Sequence, residues 1–330
     1  MALIAILIWG LWLTGGGCGP ATAPPPPPKE EAPAPEARHL PYFRVPAHMT
    51  LCGEAAPLHD PMIRENLDRE FTIVAWSRAQ TTMWIKRAHR YFPEIEQKLR
   101  KKLLPLDLKY VVLVESDLRP KAKSPAGAAG FWQFMVPTAQ RFQLKADDKV
   151  DERLEFGAST DAALQYLQVL HRLFGNWALA LAAYNCGEGR VQKEIAAQGV
   201  NSFYHLSLPE ETERYVHRIL AAKIILEDPA RYGYHIPSDQ LYSPLGYDEV
   251  EFTAAQEVQV RRLAEACGSY YKAIKTLNPW IKGVTLPPGS YRLKVPPGTG
   301  TRFKEAYRQG RIVPPGTGTR FKEAYRQGRI

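Results

Sequence analysis

Glu115 closes the apolar run Tyr110–Val114 (YVVLV) and is followed by Ser116. A carboxyl at the edge of an apolar segment is partly desolvated, which raises its pKa and keeps it protonated near neutral pH. Such a group can act as general acid toward a leaving oxygen, a glycosidic one included. The plainer alternative is a solvated acid at a helix C-terminus, where the helix dipole mildly disfavours its charge. A two-carboxylate glycosidase needs a second acid ~5–10 Å away. Asp117 is the nearest in sequence, but residues i and i+2 do not share a helix face. No other acid has an evidently paired context, and Glu211 suits an orienting role. One acid beside aromatic and amide groups favours chemistry in which the substrate supplies its own nucleophile.

Three further patterns could surround that acid. Residues 124–135 (SPAGAAGFWQFM) form a small-residue loop whose backbone can approach a bulky ligand closely. In it Phe131, Trp132 and Phe134 could stack on sugar faces, while Ser124 and Gln133 offer hydrogen bonds; a helix–helix packing turn would read the same way. Residues 182–189 (AAYNCGEG) place Tyr184 and Asn185 at a helix end, with Gly187 and Gly189 where a left-handed cap wants them. Tyr184 alone could equally be a core tyrosine. In residues 208–216 (LPEETERYV), Glu211 and Tyr215 are four apart and share a helix face, so they either reach Glu115 or form a surface pair.

These groups need a scaffold, and the periodicity between about 60 and 230 is helical. Ile63, Leu67, Phe71 and Val74 form one stripe; Phe92, Ile95, Leu99 and Leu103 form another, halted by Pro105. Leu164, Leu167, Leu170 and Phe174 give a third, ended by Gly175 and Asn176. A run from Trp177 to Tyr184 follows, then Val216, Ile219, Leu220 and Ile224. The YVVLV run is ambiguous between a buried strand and a buried helix.

Together the four patterns, in order across residues 60–235, resemble the soluble-lytic-transglycosylase family, whose catalytic domain is like goose-type lysozyme. Phe131 stands where Leu is usual and Cys186 where Ala is usual. The resemblance implies a mainly α fold: a lysozyme-like all-helical catalytic domain at 106–235, with an N-terminal helical region at 41–105 packed on it. It implies that Glu115 is the single catalytic acid and base. Ser124, Gln133, Phe131, Tyr184, Asn185, Glu211 and Tyr215 would line a groove for peptidoglycan glycan strands, with no metal and no cofactor required. A lysozyme-type hydrolase and a non-catalytic peptidoglycan-binding protein are the competing readings.

The flanks suggest an address and accessories. Ala2–Leu13 is an apolar stretch of signal-peptide length, followed by Gly15, Gly16, Gly17 and Cys18. Residues 1–18 thereby resemble a lipoprotein signal, with Cys18 as lipidation site, although no Lys or Arg precedes the core and Gly15 replaces the usual Leu. Residues 19–40 hold eight Pro between Pro20 and Glu36 and read as an extended spacer from a membrane. This addresses the chain to the periplasmic face of the outer membrane or another cell-envelope membrane. Residues 247–296 resemble a small α/β LysM module through Leu277-Asn278-Pro279 and the closing PPGSYRLKVP, but Ala254-Ala255-Gln256 replaces its opening Gly-Asp turn.

The eighteen residues at 295–312 recur unchanged at 313–330, so 297–330 reads as a duplicated basic tail in which Phe303–Arg308 could form a short helix. Each copy carries four basic residues and one acid, so the pair supplies six of the nine excess positive charges of this 330-residue chain. The net charge is therefore weak support for nucleic-acid binding, and no nucleic-acid partner is expected. Cys52, Cys186 and Cys267 lack metal-ligand spacing; a Cys52–Cys186 bridge and buried free thiols are both open.

Overall fold

Ile63, Leu67, Phe71 and Val74 lie on one buried face of the first helix, α1 (Pro61–Trp76). The computed structural model to which it belongs describes residues 42–312. The signal segment with Cys18, the Pro-rich spacer and the second tail copy at 313–330 lie outside them. A two-strand hairpin, β1 (Thr50–Leu51) with β2 (Glu54–Ala55), precedes α1. Asp60 caps α1 by accepting from the Met62 and Ile63 amides, and Pro61 occupies the first turn, where no N–H is needed.

The next helix, α2 (Arg78–Lys101), carries Pro93 in its interior. The expected stripe through Leu103 stops short of that residue. The Leu104 N–H returns to the Leu99 carbonyl (3.0 Å), a C-terminal wrap that leaves Leu103 at positive φ and 93% exposed. The ambiguous YVVLV run is helical: a 3-10 turn, Leu106–Tyr110, leads into α3 (Val111–Ser116). Val111, Val112 and Leu113 are wholly buried there, and a helix satisfies its backbone in the interior without a partner strand.

Five more helices complete the larger core: α4 (Val136–Arg141), α5 (Phe156–Phe174), α6 (Trp177–Cys186), α7 (Glu188–Gln198) and α8 (Glu210–Glu227). Gly175, at φ +67°, ends α5, and Asn176 caps α6 through the Leu179 amide. From Trp177 to Ala183 every residue of α6 is buried, as suits a helix at the centre of a bundle. Gly187 ends α6 at φ +90°, whereas Gly189 sits in the first turn of α7 rather than in the cap. α8 packs on α1, α3 and α6. Glu70, wholly buried on α1, binds Arg214 (2.7 Å) and Arg218 (3.4 Å) of α8 and fixes that packing.

A smaller α/β module follows. Strand β3 (Asp248–Ala254) pairs antiparallel with β6 (Gly289–Val295), Val250 opposite Leu293 and Phe252 opposite Tyr291. Between them lie β4 (Val258–Gln259), α9 (Val260–Cys267), α10 (Tyr271–Leu277) and β5 (Thr285–Leu286), with β4 and β5 paired. Alternate residues of β3 face the core, as a half-covered sheet requires. This second core extends beyond 296: the first tail copy forms α11 (Gly300–Arg308), which buries Phe303 and Ala306, and Ile312 closes it. The mainly α architecture with a small α/β module is thus present.

Candidate active site

Glu115 occupies the last turn of α3, where the wholly buried Val111–Leu113 root the helix in the core and the chain must leave it at once. Asp117 makes that exit at φ 54°. Its Oδ1 accepts from Trp84 Nε1 (2.6 Å) and Gln80 Nε2 (2.9 Å), which assigns it to holding the turn. Glu115 opens into a cleft of about 660 Å³ that Ser124, Gln133, Tyr184, Asn185, Glu211 and Tyr215 also line.

The hydroxyl of Tyr215, on α8, donates to Glu115 Oε1. Burial pushes the Glu115 pKa up to about 7. The Tyr215 hydrogen bond works against that rise, the negative charge of Glu211 adds to it, and Arg218 opposes it. Glu115 Oε2 accepts no hydrogen bond among the described residues and is left for a ligand. The spacing argument therefore saw one carboxylate where folding brings a second, Glu211, to the same cleft from the exposed first turn of α8. Tyr184 donates to the Trp132 carbonyl (2.8 Å), which ties α6 to the loop.

The loop wall depends on unusual backbone. Ser124 Oγ accepts the Ala128 amide (3.0 Å), which leaves the hydroxyl proton free to donate. Gln133, at φ 48°, turns its amide back so that Nε2 donates to the Gly130 (2.7 Å) and Ala122 (3.2 Å) carbonyls. Two carbonyl acceptors require NH2 at that end, so Oε1 is the atom without a partner among the described residues. Asn185 Oδ1 accepts from Thr212 Oγ1 (2.7 Å), and its NH2 remains available. The cleft thus offers the raised acid Glu115, further charged groups in Glu211, Glu188 and Arg218, and hydroxyl and amide donors with an amide acceptor, a set that can engage a polyhydroxylated ligand.

One expected residue does not belong to it. Phe131 is 2% exposed and packs edge-on against Tyr91 (5.0 Å) and Phe156 (4.8 Å). Trp132 is equally buried, with Nε1 donating to Thr160 Oγ1 (3.0 Å), and Phe134 is 3% exposed. Phe131 and Trp132 root the loop in the core instead of facing the cleft, whereas Phe134 borders it.

Spacing missed several groups. Glu188, on the cleft, accepts from Tyr166 Oη and Arg141 Nη1, each at 2.8 Å. Burial pushes its pKa up, but hydrogen bonds from Arg141, its own backbone and Tyr166 outweigh this and hold it below the usual carboxylate range. Arg153 and Asp151, buried behind the loop, were marked only by an acid and a base two residues apart. Cys52, Cys186 and Cys267 are free thiols; burial pushes the Cys186 thiol, which lines the cleft, upward in pKa. Among the described residues no group of His, Cys, Asp and Glu converges as a metal site.

Residues 92–206 match the transglycosylase SLT domain. The chain has Glu115, Ser124, Gln133, Tyr184 and Asn185 inside the matched span. It is 35% identical over 232 residues to the membrane-bound lytic murein transglycosylase D of Escherichia coli, covering 68% of this chain and 50% of that protein. It is also 38% identical over 116 residues to a putative tributyltin chloride resistance protein of Alteromonas sp., covering 34% and 56% of the two chains. A soluble lytic murein transglycosylase of Escherichia coli is 34% identical over 116 residues, covering 32% and 18%. The chain spans about half the length of the membrane-bound relative.

Proposed function

We propose that the protein is a lytic transglycosylase that cleaves the bond between N-acetylmuramic acid and N-acetylglucosamine in peptidoglycan without consuming water. The observation that carries this reading is the Glu115 carboxyl, raised to a pKa of about 7 by burial and held by Tyr215 in a cleft of sugar-binding groups. A pKa near the working pH serves a group that must first give a proton and then take one.

In the first step protonated Glu115 gives its proton to the glycosidic oxygen. The C1–O bond breaks as the 2-acetamido carbonyl oxygen of the muramoyl sugar bonds to C1. In the second, the Glu115 carboxylate takes the proton of the C6 hydroxyl. O6 then displaces the acetamido oxygen at C1, which closes a 1,6-anhydro ring, restores the acetamide and returns Glu115 to its acid form. Ser124, Gln133, Asn185 and Tyr184 border the space that the sugar would fill.

Glu211 supports a second reading, a hydrolase in which it activates water. Mass spectrometry of muropeptides released from purified sacculi separates the two. Anhydromuramoyl ends are expected; reducing muramic ends would establish the hydrolase, and absence of cleavage would leave a glycan-binding protein.

The same reading places the protein at the cell envelope, anchored by lipid on Cys18, with the α/β module at 247–296 holding N-acetylglucosamine chains. Similarity to a membrane-bound lytic murein transglycosylase supports this location. Among the described residues no helix is long and apolar enough to cross a membrane. Cys18→Ser is expected to release the protein from membranes into the soluble fraction; retention would contradict lipidation.

A further inference from the structure

The α/β module is joined to the segment behind the cleft loop by backbone. Val150 and Ile281 form an antiparallel bridge. The Asp151 amide donates to the Trp280 carbonyl (2.8 Å), and the Lys282 amide to the Lys149 carbonyl (2.9 Å). Lys282 Nζ adds a bond to the Asp147 carbonyl (2.7 Å). The Val150 side chain is 1% exposed and belongs to the core of the module, not to that of the helical domain.

The residues next to this junction hold the loop. Asp151 and Arg153 are both buried and form a two-pronged ion pair, Nε to Oδ1 and Nη2 to Oδ2, each at 2.8 Å. The remaining guanidinium nitrogen, Nη1, donates to the Gly127 and Phe134 carbonyls, each at 3.0 Å. Those carbonyls bracket Gln133 and close the turn that Ser124 begins. At Gly130 a Cβ would lie 1.9 Å from the Arg153 carbonyl oxygen, so the loop backbone rests directly on the Arg153 backbone. An Arg fork can meet a carboxylate and two carbonyls at once, which a Lys ammonium cannot do with the same fixed directions.

We propose that Arg153 is a positioning residue for the cleft and that the module is part of the device that positions it. The module seats Val150 and Asp151, Asp151 orients Arg153, and Arg153 fixes the loop that presents Ser124 and Gln133 to the ligand. The C-terminal module thereby shapes the cleft without lining it. Glu115, set on α3, is outside this chain of contacts. The kinetic part of this inference rests on the glycan-cleaving reading above; the loop-holding part does not.

The test is hydrogen exchange, followed by mass spectrometry, on the full chain and on Arg153→Lys, Arg153→Ala and Val150→Ala. Val150→Ala perturbs only the docking side and retains the ion pair. Loss of the Arg153 hydrogen bonds should speed exchange across 127–134 about tenfold. Val150→Ala should produce a smaller increase in the same segment, and α5 and α6 should keep their protection. Exchange that stays unchanged in 127–134, or that rises equally in the loop, α5 and α6, overturns the proposal. With peptidoglycan fragments, Arg153→Lys should raise KM several-fold more than it lowers kcat and leave the Glu115 pH limb in place. A fall confined to kcat, or a displaced limb, would also overturn it.

Discussion

The wall of the cleft that carries Glu115 is packed helix, whereas the wall that carries Ser124 and Gln133 is loop. On the first, α3 and α8 meet through wholly buried aliphatic residues, and Glu70 ties α8 to α1. The acid inherits a fixed place and a dehydrated setting from the bulk of the core. On the second, Gly127, Gly130 and Gln133 all have positive φ, and the conformation depends on aromatic anchors and the Arg153 fork. On the proposed function, proton chemistry sits where packing density sets the pKa, and ligand contacts sit where backbone can approach a sugar. Substitutions on the two walls should therefore fail in different ways.

The largest effect is expected on the helical wall. Glu115→Gln should keep the circular dichroism of the parent and lower kcat roughly 10³-fold, the scale of a lost general acid. Near-normal turnover would remove the acid from the account. The same variant tests the dehydrated setting through stability. The ordinary Glu pKa is about 4.3, and Glu115 stands at about 7 when folded. Between those values the folded chain keeps a proton that the unfolded chain releases, so this group makes stability fall as pH rises, levelling off above about 7. Glu115→Gln should abolish that slope and gain up to about 3 kcal/mol over the parent at pH 8 relative to pH 4. Urea unfolding at the two pH values measures it; parallel curves would mean that the carboxyl is solvated.

A subtler change separates the walls further. The Tyr215 hydroxyl favours the charged form of Glu115, so Tyr215→Phe should raise the Glu115 pKa. The alkaline limb of kcat would then move to higher pH. Loop-side substitutions such as Arg153→Lys should leave that limb in place and act on KM. A limb that moves in both variants would erase the distinction.

The helical wall was largely legible in the sequence. Amphipathic stripes place α1 and α8, and an acid ending an apolar run is readable as a buried carboxyl because both facts are local. Leu103 fell outside its stripe because a cap, which periodicity does not register, turned it outward. The loop wall was legible in residue type but not in direction: Phe131 and Trp132 face inward, and spacing cannot tell an anchor from a stacking platform. Glu211 reaches the cleft of Glu115 from an element about a hundred residues later, and Val150 pairs with Ile281 across a similar gap. Such long-range pairings leave no local pattern. The first tail copy was readable as a helix, but its burial in the module core depends on a face that exists only after β3 and β6 pair.

The most direct measurement of the central claim is digestion of purified glycan strands in water carrying a heavy oxygen isotope, read by mass spectrometry of the new muramoyl ends. If Glu115 shuttles one proton while the sugar closes on its own C6 hydroxyl, the ends are lighter by one water than reducing ends and carry no label. Labelled reducing ends would show that water is the nucleophile and would contradict the account.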